Sequence, residues 1–240
     1  MPDGCVDLVS TSDGSLWLCG PERTGWDFEL PDGASATGVR FRPGAASAVL
    51  GRSAAGLADT RWRLRTIVGG DAEDELRSDV AKVGRADTSA ALERFVAVLV
   101  GRMTPRSDGL LQFSDAVLDA LAESPRANAA LLADSLGMGV RQLHRRALWS
   151  FGYGPATLAR LLRLQRFLAM GSIWELNART PVLGRLAVDA GYCDQAHLTR
   201  ECRTICALTP AELLGQYVPT FPDMSDPFKT SGQFAVSVCA

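Results

Sequence analysis

Apolar and polar positions alternate through the first forty residues, and the period then changes. Val6 and Leu8, Leu16 and Leu18, and Val39 and Phe41 each stand two apart within short runs, the spacing of half-buried strands. Turn signals separate the runs: Asp3-Gly4, Asp13-Gly14, Gly20-Pro21, Asp32-Gly33 and Pro43-Gly44. Asp13-Gly14, between Val6–Val9 and Leu16–Leu18, predicts a hairpin. Residues 1–70 thus read as a small β-rich unit, part of a sandwich or barrel. Its first strand begins almost at Met1, which predicts a missing upstream edge.

Residues 71–108 change character. Glu73 to Val83 is polar and helix-compatible. Asp87-Thr88-Ser89 offers caps for a helix with Leu92, Phe95, Val96, Leu99 and Val100 along one stripe. That stripe either packs on the β section, as apolar stripes usually do, or forms a seam between two copies. Thr104 to Gly109 is the linker candidate. From there the spacing predicts helices over 110–123, 128–135, 140–150, 155–170, 182–190, 195–206 and 210–216. Gly137, Gly152, Gly171 and Gly191 punctuate the gaps, and Pro155, Pro181 and Pro210 suit first-turn positions. Residues 219–240 read as a surface tail with a short strand. The expected organisation is α+β. A β-rich domain (1–70) is followed by a helical connector and linker (71–108), an all-α domain (109–218) and the tail.

The all-α part contains a repeat. Ala133, Gly137, Leu143 and Arg145 recur as Ala187, Gly191, Leu198 and Arg200, at offsets of 54, 54, 55 and 55 residues. In each copy a small residue four before a glycine lets two helices approach, the glycine takes a positive φ, and the leucine anchors the second helix. That is the recipe of a helix-turn-helix unit, whose second helix lies in the DNA major groove. The connecting helix, at about 16 residues, rises about 24 Å.

The residues LADSLGMGVRQLHRRALWSFGYGPATLARLLRLQRFL and LAVDAGYCDQAHLTRECRTICALTPAELL resemble the DNA-binding domain of AraC/XylS-family transcriptional regulators. PDGCVDL, Leu18-Cys19-Gly20-Pro21 and GVRFRPGAA resemble the short cupin-like leading domain of one subgroup, with its first strands missing. The resemblance implies a cytoplasmic regulator with two helix-turn-helix units on promoter DNA. It also implies an effector in the leading domain, RNA polymerase as a partner, a dimer, and no cofactor or metal. Base edges would be met by Arg141, His144 and Arg145 from the first reading helix. The second would present Gln195, Ala196, His197, Thr199 and Arg200. Arg146, Arg160 and Arg163 would reach phosphates, which add affinity but little specificity. Three positions depart from the family pattern. Ala147 stands where a bulky aromatic packs, with Trp149 or Phe151 as compensation. Cys202 replaces a phenylalanine. Ala207 replaces a glycine just past the second reading helix, so it either adopts a left-handed conformation or the helix ends differently.

Charge alters the picture. A net charge of −2 speaks against a polyanionic partner. Yet residues 1–108 hold 13 Lys/Arg against 16 Asp/Glu, whereas residues 109–218 hold 11 against 9. Arg141, Arg145, Arg146, Arg160, Arg163 and Arg166 lie in a stretch with no acid. A hydrophobic fraction of 47% and a charged fraction of 22% exclude collagen-like, coiled-coil and wholly disordered chains. No apolar run reaches the roughly 18 residues of a membrane span. MPDGCVDL lacks the basic and apolar regions of a secretory signal, so a soluble cytoplasmic protein is expected.

Other constellations are weaker. Cys193, Cys202 and Cys206 lack zinc spacing, so Cys202 reads as a small buried hydrophobe rather than a sensor thiol. Cys5 and Cys19 fall on adjacent predicted strands. Arg40 and Arg42 flank Phe41, to bind an anionic ligand or to pair with Asp7, Asp27 or Glu29. No phosphate loop, paired carboxylates or nucleophile elbow is present. Two rival functions remain. One is a DNA-repair alkyl acceptor using a cysteine. The other is a degenerate regulator acting through protein contacts alone.

Overall fold

The alternating runs become antiparallel strands. A computed structural model of the chain describes residues 1–25, 30, 32–83, 87–176, 183–216 and 234–236. Strands β1 (Val6–Thr11) and β2 (Leu16–Cys19) form the hairpin expected at Asp13-Gly14, with Leu8 opposite Leu18. Strand β3 (Ala36–Phe41) lies on the other side of β1, with Val6 opposite Phe41. Strand β4 (Arg61–Arg63) pairs with β2, and the tail segment β5 (Phe234–Val236) pairs with β3. The described strands make one sheet in the order β4-β2-β1-β3-β5, where a sandwich or barrel was expected. One face is covered by helices instead, which is why its inward residues are apolar without a second sheet.

Those helices are α1 (Ala45–Leu50), α2 (Leu64–Val68), α3 (Gly70–Val83) and α4 (Thr88–Gly101). Leu64, Ile67, Leu76 and Leu92 close over Val6, Leu8, Leu16, Leu18 and Phe41 to form one buried cluster. The α4 stripe therefore packs on the β section through Leu92, with Phe95 and Val96 at its margin, while Val100 is exposed.

The helical part comprises α5 (Pro105–Glu123), α6 (Ala129–Ser135), α7 (Val140–Phe151), α8 (Pro155–Leu176), α9 (Leu183–Asp189), α10 (Gln195–Cys206) and α11 (Pro210–Gln216). These helices share a second buried cluster, from Phe113 to Leu214. The chain is α+β, with the sheet at its N-terminal end and a mostly helical remainder.

Two expectations change here. Thr104 to Gly109 opens α5 rather than linking domains: the Thr104 hydroxyl accepts from the Ser107 N–H, and Pro105 occupies the first turn. Gly171 does not end the connecting helix, which continues to Leu176. A Cβ there would stand 2.2 Å from a Leu214 methyl, so its smallness admits α11 against α8. Pro181, Asp27 and Glu29 lie outside the described residues, as does most of the 219–240 tail.

The sheet unit is seated on the helical part by many small fits. Arg42 pairs with Asp115 of α5. Gln165 of α8 donates to the Pro2 carbonyl, and the Gly25 N–H to the carbonyl of Ile205. Arg40, by contrast, is held on the sheet itself by Asp3 and Asp7, at 2.6 and 2.7 Å. Burial pushes the Asp7 carboxyl up even with Arg40 beside it. The Asp7 pairing of Arg40 is thus realised, and Arg42 takes an acid from α5 instead.

Candidate nucleic-acid interface

The repeat in the sequence is a repeat in backbone geometry. In the first unit Gly137, at φ 62°, ends α6. The Met138 N–H reaches back to the Ala133 carbonyl at 2.9 Å, and the Gly137 N–H to Asp134 at 3.0 Å. In the second unit Gly191, at φ 102°, ends α9. The Tyr192 N–H reaches the Ala187 carbonyl at 2.9 Å, and the Gly191 N–H reaches Val188 at 3.1 Å. Both are left-handed glycine caps closed by the same pair of bonds. Ala133 and Ala187 are buried under their partner helices, as are Leu143 and Leu198.

The single extra residue in the second copy falls in the turn and alters how the second helix starts. Gly139 precedes α7 with no side-chain cap. Asp194 caps α10 by accepting from the His197 N–H at 2.6 Å.

Each second helix turns one face inward and leaves the other open. On α7, Leu143, Ala147 and Phe151 are buried, and Arg141, His144 and Arg145 are exposed. Of the two aromatics near Ala147, Phe151 is buried and meets Phe113 at 6.4 Å between ring centres. Trp149 instead stays at the surface under Arg106. On α10, Leu198, Glu201, Cys202 and Ile205 are buried, and Gln195, Ala196 and Arg200 are exposed. Thr199 is half-buried, its hydroxyl donating to the Gln195 carbonyl at 2.8 Å. Cys202 is the small buried hydrophobe expected, and burial pushes its thiol up to about 12.

Four predicted contact residues are placed differently. Arg163, expected at phosphate, is turned inward with 14% of its side chain exposed. It lies near Glu201, over the Tyr192 ring, and donates to the Pro125 carbonyl. Arg160 keeps a partly exposed side chain but donates to Glu201 at 2.8 Å. Arg146 lies 4.3 Å over the Phe113 ring. His197 faces Glu201 at 3.7 Å and packs edge-on against Tyr192.

The residue that sequence reading missed is Glu201. It stands in the buried stripe 198, 201, 202, 205, so an acid there must find cations. Arg160 and Arg163 supply them from α8, and α10 is thereby pinned beside the first half of that helix. The signal was present in the sequence: a lone carboxylate at a core position of an amphipathic helix.

Helix α10 ends in a left-handed Ala207, at φ 59° and ψ 11°. An alanine there carries a steric cost that glycine avoids. Ala207→Gly is expected to stabilise the protein by about 0.5–1 kcal/mol, offset in part by the freer unfolded chain. Urea denaturation of the two forms checks this, and a loss of stability would refute it.

Comparison with known proteins gives one match. Residues 1–63 match the family described as Domain of unknown function (DUF6597). No curated protein and no solved structure matches the chain. Among the described residues no helix is long and apolar enough to cross a membrane, and no cluster of ligating side chains could hold a metal ion.

Proposed function

We propose that this chain is a sequence-specific DNA-binding transcriptional regulator of the AraC/XylS type. Helices α7 and α10 read two adjacent major-groove segments of promoter DNA, and the N-terminal sheet unit serves sensing or pairing. The observation that carries the reading is the twice-built helix–glycine turn–helix geometry, each copy presenting an exposed arginine, Arg145 or Arg200, from its second helix. Arg141, His144, Gln195 and Ala196 extend the two reading faces. The match over residues 1–63 falls on the part whose opening residues resemble the leading domain of one AraC/XylS subgroup.

The alkyl-acceptor alternative needs an activated thiolate. Burial and the neighbouring Asp3 push the Cys5 thiol well up, and burial pushes that of Cys19 up to about 11. Both shifts oppose that chemistry.

Selection from a random duplex pool with the full chain tests the proposal. An enriched motif of two half-sites about 10–10.5 base pairs apart is expected, with binding that falls steeply as salt rises. Enrichment of no motif above non-specific binding would overturn it.

A further inference from the structure

The covered face of the sheet changes chemistry along its length. Its cross-strand rows are Val6–Phe41, then Leu8–Val39 beside Leu18, then Ser10–Thr37 beside Leu16. The first two rows are apolar and contribute to the buried cluster under the helices. At the third, the sheet and α3 part to leave a cavity of about 330 Å³. Ser10 is only 4% exposed, yet neither its hydroxyl nor that of Thr37 makes a hydrogen bond among the described residues. Both residues line the cavity, so their hydroxyls are open to whatever polar group occupies it.

The rest of the lining narrows the choice. Ser35 adds a third hydroxyl at the rim, and Leu16, Val80 and Ala81 form an apolar wall. Arg77 is the cation among the lining residues, and it is already engaged by the Gly14 carbonyl and the Glu73 carboxylate. An anion would therefore meet no uncompensated positive charge. A molecule with an apolar carbon face and a hydroxyl edge meets both kinds of wall. The volume lies at the small end of ligand pockets and far exceeds a single water site.

We propose that this cavity is a binding site for a small uncharged polyol. Its carbon chain lies on Leu16, Val80 and Ala81, and its hydroxyls exchange hydrogen bonds with Ser10, Thr37 and Ser35. The proposal goes beyond the DNA-binding reading and does not depend on it.

Titration calorimetry of the full chain, without DNA, against glycerol, erythritol, ribitol and sorbitol tests the site. Ribonate is the charged counterpart. Saturable binding of at least one polyol is expected, weaker by at least tenfold in the Ser10→Ala/Thr37→Val variant. That variant removes unpartnered hydroxyls, so its unliganded fold is expected to be as stable as the parent or more so. General stabilisation by excluded polyols neither saturates nor depends on these residues. The proposal is overturned by no saturable binding of any polyol, by ribonate binding as tightly as ribitol, or by unchanged binding in a folded variant.

Discussion

Replacing Arg145 and Arg200 together by alanine is expected to weaken binding to the selected duplex by about 30-fold to 10⁴-fold. Each arginine is exposed on the second helix of its unit, where a bidentate contact to guanine contributes roughly 1–3 kcal/mol. The two lie on separate helices with no shared partner, so their effects should add. Each single variant should relax sequence preference in one half-site and leave the other intact. The salt dependence of binding should fall by about one charge for each arginine removed. Neither side chain is buried, so the fold should stay within about 0.5 kcal/mol of the parent. Exposed Arg94 on α4 provides the control, since Arg94→Ala removes the same charge from a helix that is not a reading helix. Competition binding on the selected site decides the matter. If the double variant kept its affinity and both half-site preferences, these residues would not be the readers.

The two turns were legible in the sequence because a left-handed cap requires a residue type: glycine at 137 and 191 leaves a visible mark. Strand register at Val6, Leu8 and Leu18 was legible because alternation is a local property. The architecture around the sheet was not, since an apolar inward face is the same whether a second sheet or α2–α4 covers it. Gly171 was misread as a stop for a related reason. A glycine that admits a neighbouring helix resembles one that ends its own, and only Leu214 distinguishes them.

The arginines divide along the same line. Arg145 and Arg163 are equally basic in sequence, but Arg163 has a buried carboxylate within reach on α10, Glu201, far along the chain. Helix α8 runs from Pro155 to Leu176, yet α10 is pinned beside its first half rather than beyond its end. Helix length alone therefore does not set the spacing of the two reading helices.

Gly44→Ala is expected to cost roughly 2–5 kcal/mol and to lower the melting temperature by about 4–20 °C. Gly44 sits at φ 81°, just before α1, where the sheet unit meets the helical part. Two penalties coincide there. The left-handed backbone alone disfavours a Cβ by about 1–2 kcal/mol. The added carbon would also stand 2.6 Å from the Ser114 Cβ and 2.8 Å from a ring carbon of Phe151. Overpacking of this kind costs about 1–3 kcal/mol.

Gly51 separates the two contributions. It ends the same short helix at φ 63° and has nothing within 4 Å of an added Cβ, so Gly51→Ala should show the backbone penalty alone. Ser114→Gly, which clears the nearest obstacle, should restore part of the loss when combined with Gly44→Ala, and the coupling measures the contact. Phe151 is the last residue of α7, so the strain falls on the end of the first reading helix. Hydrogen exchange in the variant should accordingly rise at the α7 C-terminus and across α1, before it rises in α10. Equal losses for Gly44→Ala and Gly51→Ala would mean that the sheet unit does not press on α7 as closely as these distances require.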